Sequence, residues 1–125
     1  MEQGPITSEK GLAIAVLESD DAVVVRLTGR VDVDSSPDLR DRLRTVLSAT
    51  TLPKTVIVDF AGVPYIETSG IATLIEALRI ARHHQTKFRL QGLSGVVLRL
   101  FEVTGVVALF EANNAGQSNP GQKVS

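Results

Sequence analysis

The chain has 125 residues, 43% of them hydrophobic and 22% charged, which supports one apolar core and is too short for two. A formal net charge of −1, an aromatic content of 4% and no Trp argue against a nucleic-acid binder, which concentrates basic residues on one face and stacks bases on aromatic rings. The absence of Cys removes disulfides, thiolate metal sites and a cysteine nucleophile.

Met1–Lys10 is polar and lacks the apolar stretch of a secretory leader, so a flexible N-terminus over residues 1–10 is expected. The longest unbroken apolar run, Leu12–Leu17, is far short of the about 20 residues that span a bilayer; a soluble, cytoplasmic protein with no membrane insertion is expected. Leu12–Leu17 and Ala22–Thr28 read as strands, and Ser19-Asp20-Asp21 between them supplies the turn of an antiparallel hairpin. Asp34-Ser35-Ser36-Pro37 opens a helix, with Ser36 as cap and Pro37 at the first helical position. Leu39, Leu43, Val46 and Leu47 recur on one face of it, Arg40, Arg42 and Arg44 fall elsewhere, and the helix is expected to run to about Ala49.

After Pro53, the β-branched run Lys54–Phe60 predicts a strand covered on both faces, followed by a loop over Ala61–Ile66. A second helix is predicted from near Thr68, with Ile71, Leu74, Ile75 and Leu78 inward and Glu76, Arg79 and Arg82 outward, fading at His83-His84. Lys87–Gln91 reads as a short strand. Ser94 is the expected cap of a third helix whose inner face holds Val97, Leu100, Phe101 and Thr104, and Gly105 ends it. Val106–Phe110 reads as a last short strand, and Ala112–Ser125, rich in Asn, Gly, Gln and Ser, as a disordered C-terminal tail. The order β-β-α-β-α-β-α-β implies an α/β fold: one domain over residues 11–111, with a mixed β-sheet of four to five strands and helices packed over it.

Thr68-Ser69-Gly70 stands where a buried strand hands over to a helix, and helix N-termini present free N–H groups and partial positive charge. Two uses are open. Thr68 or Ser69 caps the first turn while Gly70 permits close packing. Or one hydroxyl is a regulated group, since a phosphate there is stabilised by the helix dipole and alters the surface a partner meets. Asp32, Asp34, Asp59 and Glu67 match no calcium-loop spacing and read as turn formers and solvated carboxylates, so no metal and no cofactor is expected. His83-His84 suits electrostatic capping of a helix end. With no nucleotide loop and no draftable triad, the chain is not expected to be an enzyme.

Three motifs resemble the STAS domain family, the bacterial anti-sigma factor antagonists. Gly29-Arg30-Val31-Asp32 stands where that family has Gly-x-(apolar)-Asp, and Tyr65-Ile66-Glu67-Thr68-Ser69-Gly70-Ile71 where it has an apolar residue and then Asp-Ser-Ser/Thr-Gly-Leu. Leu98-Arg99-Leu100-Phe101-Glu102-Val103-Thr104-Gly105 is similar to its (apolar)-x-x-(apolar)-Phe-x-x-(Ser/Thr)-Gly. Glu67 stands in place of the family's Asp, and Thr68 in place of its Ser. The resemblance implies a partner switch: the unmodified protein binds an anti-sigma factor that is also a serine/threonine kinase, phosphorylation falls on Thr68 or the adjacent Ser69, and a metal-dependent phosphatase resets it. It also implies partner contact at Asp32, Glu67, Thr68, Ser69, Gly70 and Ile71. The alternative it implies is a cytoplasmic STAS subunit of an ABC-type lipid transporter, docked on a permease without phosphorylation.

Overall fold

The structure, a computed structural model, describes residues 6–7, 11–49 and 53–118. Those residues form β1 (Ile6–Thr7), β2 (Leu12–Glu18), β3 (Ala22–Val31), α1 (Ser36–Leu47), β4 (Thr55–Ile66), α2 (Thr68–His83), β5 (Lys87–Gln91), α3 (Gly95–Val103) and α4 (Val106–Ser118). The strands lie in one sheet in the order of their numbers. β2 and β3 form the expected antiparallel hairpin, in which the Ser19 N–H and hydroxyl both donate to the Ala22 carbonyl. At its open end Gly29 has a φ of +116°, and a Cβ there would run into the Gly11 carbonyl oxygen, so only glycine fits. β3, β4 and β5 are parallel neighbours joined by helical crossovers.

The alternation along β3 buries Val23, Val25, Leu27 and Val31 and exposes Arg26, Thr28 and Arg30. In β4, Val56, Val58 and Phe60 share the buried face. Phe60 meets Phe101 of α3 edge-on at 5.7 Å, and Phe88 of β5, paired with Val56, meets Phe110 of α4 at 5.7 Å. α1 and α2 pack on each other, and Arg44 of α1 bridges to Glu76 of α2.

Several expectations are corrected. Val106–Phe110 is the start of α4, not a strand: Gly105 (φ +81°) lets the chain turn into a new helix, and Val106 and Phe110, one helical turn apart, both enter the core. Ala61–Ile66 continues β4 instead of looping, paired to β3 as Thr28↔Gly62, Arg30↔Tyr65 and Val31↔Ile66 with register shifts beside a stretch that holds Pro64. The cover of β4 is uneven: Val56, Val58 and Phe60 are buried on one face, while on the other Ile57 is half-buried and Asp59 buried. Ser36 is the first helical residue after an N-cap at Ser35, and its hydroxyl does not cap; Ser94 holds the N-cap position of α3 without a side-chain bond. Of the expected flexible N-terminus, Ile6–Thr7 pairs with β2, and residues 1–5 and 8–10 lie outside the described residues. Of the expected tail, residues 112–118 belong to α4, and 119–125 lie outside the described residues.

Candidate functional site

Parallel pairing of β3 and β4 brings their C-terminal ends to one edge of the sheet, so α1 and α2 begin side by side. The backbone seals this junction, where Glu67 N–H donates to the Val31 carbonyl at 2.8 Å. Across it, the Ser36 and Ser69 hydroxyls share a hydrogen bond of 3.0 Å. Ser36 gives its one hydroxyl hydrogen to the Asp32 carbonyl at 2.6 Å, so the proton between the two serines comes from Ser69. Ser69 is half-buried and committed to the contact between the helices.

Thr68 is the opposite case. It is the first residue of α2, it is exposed, and among the described residues its hydroxyl has no hydrogen-bond partner. The N-cap of α2 is Glu67, extended and with no side-chain bond to its own helix, so neither Thr68 nor Ser69 caps the first turn.

The Glu67 carboxylate reaches sideways. One oxygen accepts from Val33 N–H at 3.1 Å and the other from the Tyr65 hydroxyl at 2.8 Å, which clasps the turn before α1 to the end of β4. The bond to Glu67 raises the Tyr65 pKa above its ordinary value. Arg30, the cross-strand partner of Tyr65, lies 5.2 Å from its ring centre and 3.5 Å from the Asp32 carboxylate. Asp32 organises the turn itself. Its carboxylate accepts from the N–H groups of Asp34 and Ser35, each at 3.0 Å, and the Ser35 bond is the leading cause of its lowered pKa.

Beneath this surface, Gly70 and Ile71 are buried. A Cβ on Gly70 would lie 2.5 Å from Val31 Cγ1 and 2.9 Å from Ile66 Cγ1, so glycine lets α2 sit down on the ends of β3 and β4. Val33 (65% exposed) and Tyr65 (40% exposed), both bonded to the Glu67 carboxylate next to Thr68, are large apolar groups at this surface. The parts that Val33 and Ser36 play here left no mark in the sequence: Val33 enters through its amide, and Ser36 through a partner 33 positions away. The four carboxylates considered for a metal do not gather; Asp59 is held elsewhere by Arg26 and by Ala61 N–H. Among the described residues no group of three or more His, Asp or Glu is placed to hold a metal ion, and no helix is long and apolar enough to cross a membrane.

Residues 14–111 match the family described as "Mlab, STAS domain". The chain belongs to the STAS domain family. This STAS domain is 26% identical over 110 residues to the anti-sigma-B factor antagonist of Listeria monocytogenes, covering 86% of this chain and 95% of that protein. It is 24% identical over 93 residues to that of Bacillus subtilis, covering 74% and 83%. In structure it is similar to the anti-sigma factor antagonist SpoIIAA in its unphosphorylated form, with a TM-score of 0.61 at 20% identity, covering 72% of this chain and 82% of that one. An anti-sigma factor antagonist from Mycobacterium paratuberculosis aligns with a TM-score of 0.69 at 15% identity, covering 91% and 100%.

Proposed function

We propose that the protein is an anti-sigma factor antagonist working as a partner switch in the cytoplasm. Unmodified, it grips an anti-sigma factor that is also a serine/threonine kinase. Phosphoryl transfer to Thr68 ends the grip, and a metal-dependent phosphatase restores it. The observation that carries this reading is exposed Thr68 at the first position of α2, whose hydroxyl bonds to none of the described residues. Ser69, tied to Ser36, is the poorer acceptor.

In the transfer, the γ-phosphoryl group of ATP bonds to Thr68 Oγ1, its bond to the bridging oxygen breaks, ADP leaves, and the hydroxyl proton passes to a base of the kinase. The product adds about −1.5 to −2 charges at a helix N-terminus, where the dipole tolerates them and the fold survives. A partner that had packed apolar surface on Val33 and Tyr65 then faces a dianion it must desolvate.

Intact mass after incubation with ATP and the anti-sigma kinase encoded in the same genome tests this. The wild-type and Ser69→Ala proteins should gain about 80 Da, one phosphoryl group, and Thr68→Ala should not. If no such kinase modifies the wild type, the switch reading fails. The alternative then favoured is docking on a permease, as a subunit of an ABC-type lipid transporter.

A further inference from the structure

Parallel strands are normally covered by helices on both faces. Here β3, β4 and β5 are parallel, yet among the described residues the face opposite Val25, Val58 and Phe88 carries no comparable cover: Arg26 and Arg89 are exposed, Val24 and Ile57 are only half-buried, and Asp59 alone among the charged residues of its strands is buried. The register aligns Leu17, Val24, Ile57 and Arg89 in one row across β2 to β5, with Arg26 and Asp59 in the next row. Leu17 is 44% exposed.

The row is an aliphatic lane with a charged border. On the strands of this face Arg26, Lys87 and Arg89 are the cations and Asp59, paired with Arg26 at 3.7 Å, the carboxylate, while exposed Asp20 and Asp21 lie in the hairpin turn at one end of the lane. Among those residues neither Lys87 nor Arg89 has a carboxylate within ion-pairing distance. The strand residues of this face, three cations against one carboxylate, thus carry net positive charge in a chain of net charge −1.

We propose that this open face is a second docking surface, separate from the Thr68 edge, that receives an acidic amphipathic helix of a partner protein. Four strands span about 14 Å from β2 to β5, room for one helix of about 10 Å diameter. Aliphatic residues of that helix lie on Leu17, Val24 and Ile57, and its carboxylates meet Lys87 and Arg89. A helix completes the second layer that parallel strands ordinarily have. A second copy of this chain is disfavoured because it would set these cations against their own kind. An anionic membrane is disfavoured because surface attachment ordinarily draws on about 4–8 clustered cations.

The experiment places a photo-crosslinking benzoylphenylalanine at Leu17 of the full chain, expressed in its native host, with the same group at exposed Thr45 of α1 as control. The expected result is an adduct at Leu17 only. Its cross-linked peptide should read as an amphipathic helix with Asp or Glu on one face. Adduct yield should fall about tenfold or more in Arg89→Glu with the melting temperature unchanged, since a rim charge reversal opposes the partner's charge. The proposal is overturned by no adduct above the control, by an adduct to lipid, to a basic segment or to this chain itself, or by a yield indifferent to Arg89→Glu. A Thr68→Ala background should leave the adduct intact, which separates this outcome from the fate of the switch.

Discussion

Glu67 is a cap by position and a clasp by side chain. An N-cap Asp or Ser ordinarily bonds back to its own first turn. The longer Glu67 side chain instead takes the Val33 amide and the Tyr65 hydroxyl, leaving the start of α2 free of side-chain capping. Tyr65 reports on the clasp cleanly, because the chain has one Tyr and no Trp. Its phenol is held protonated beyond its ordinary value by the carboxylate it donates to. A pKa higher in the folded state than in the unfolded one contributes stability that is complete below the unfolded value, near 10, and is lost as pH rises through the folded value. Glu67→Gln removes the charge and keeps the shape. Its phenolate absorbance should rise at lower pH than in the wild type, and its stability should lose less on passing into that alkaline range. Coincident titration curves for the two proteins would mean that the clasp does not form in solution.

At the scale of elements, α2 is seated by a missing side chain. Ala is favoured over Gly inside a helix by about 1 kcal/mol, so Gly70→Ala would stabilise an isolated α2. In the fold, the new methyl meets Val31, a stiff β-branched residue with no exposed surface, and overpacking of that kind costs about 1–3 kcal/mol. The clash wins, and Gly70→Ala should lower the denaturant midpoint; a rise would show that the ends of β3 and β4 yield. Pattern reading served α2 well, because Ile71, Leu74 and Leu78 mark a 3.6-residue period over a long segment. It failed at Val106–Phe110, where an apolar run of this length fits either period and the deciding fact is tertiary: α4 packs beside β5, and Phe110 lies against Phe88. It failed again at Ala61–Ile66, because Gly62 and Pro64 read as loop chemistry while irregular pairing to β3 carries the strand through them. The Thr68 loop was legible from its hydroxyls. The choice between capping and display was not, since it depends on Ser36 and Val33, which long-range folding brings in.

At the scale of the molecule, the Thr68 edge and the helices on the far strands share one core. A single cluster of buried residues runs from Leu12 and Val31 through Ile66 and Ile71 to Phe101 and Phe110. Val31 and Ile66 are the last residues of β3 and β4, so the loops that carry Asp32 and Glu67 spring directly from that cluster. Their geometry therefore depends on contacts made far along the chain. Phe101 is fully buried and packs edge-on to Phe60, and truncating such a ring costs about 3–5 kcal/mol, a large part of the about 5–15 kcal/mol that holds a domain folded. Phe101→Ala should lower the urea midpoint without changing the slope. The near-ultraviolet signal of Tyr65 and the far-ultraviolet helical signal should be lost together in both proteins, as in a two-state transition. Loss of the Tyr65 signal ahead of the helices would make the Thr68 edge an independently melting unit. One shared core instead requires that Thr68 be displayed only by a domain folded as a whole.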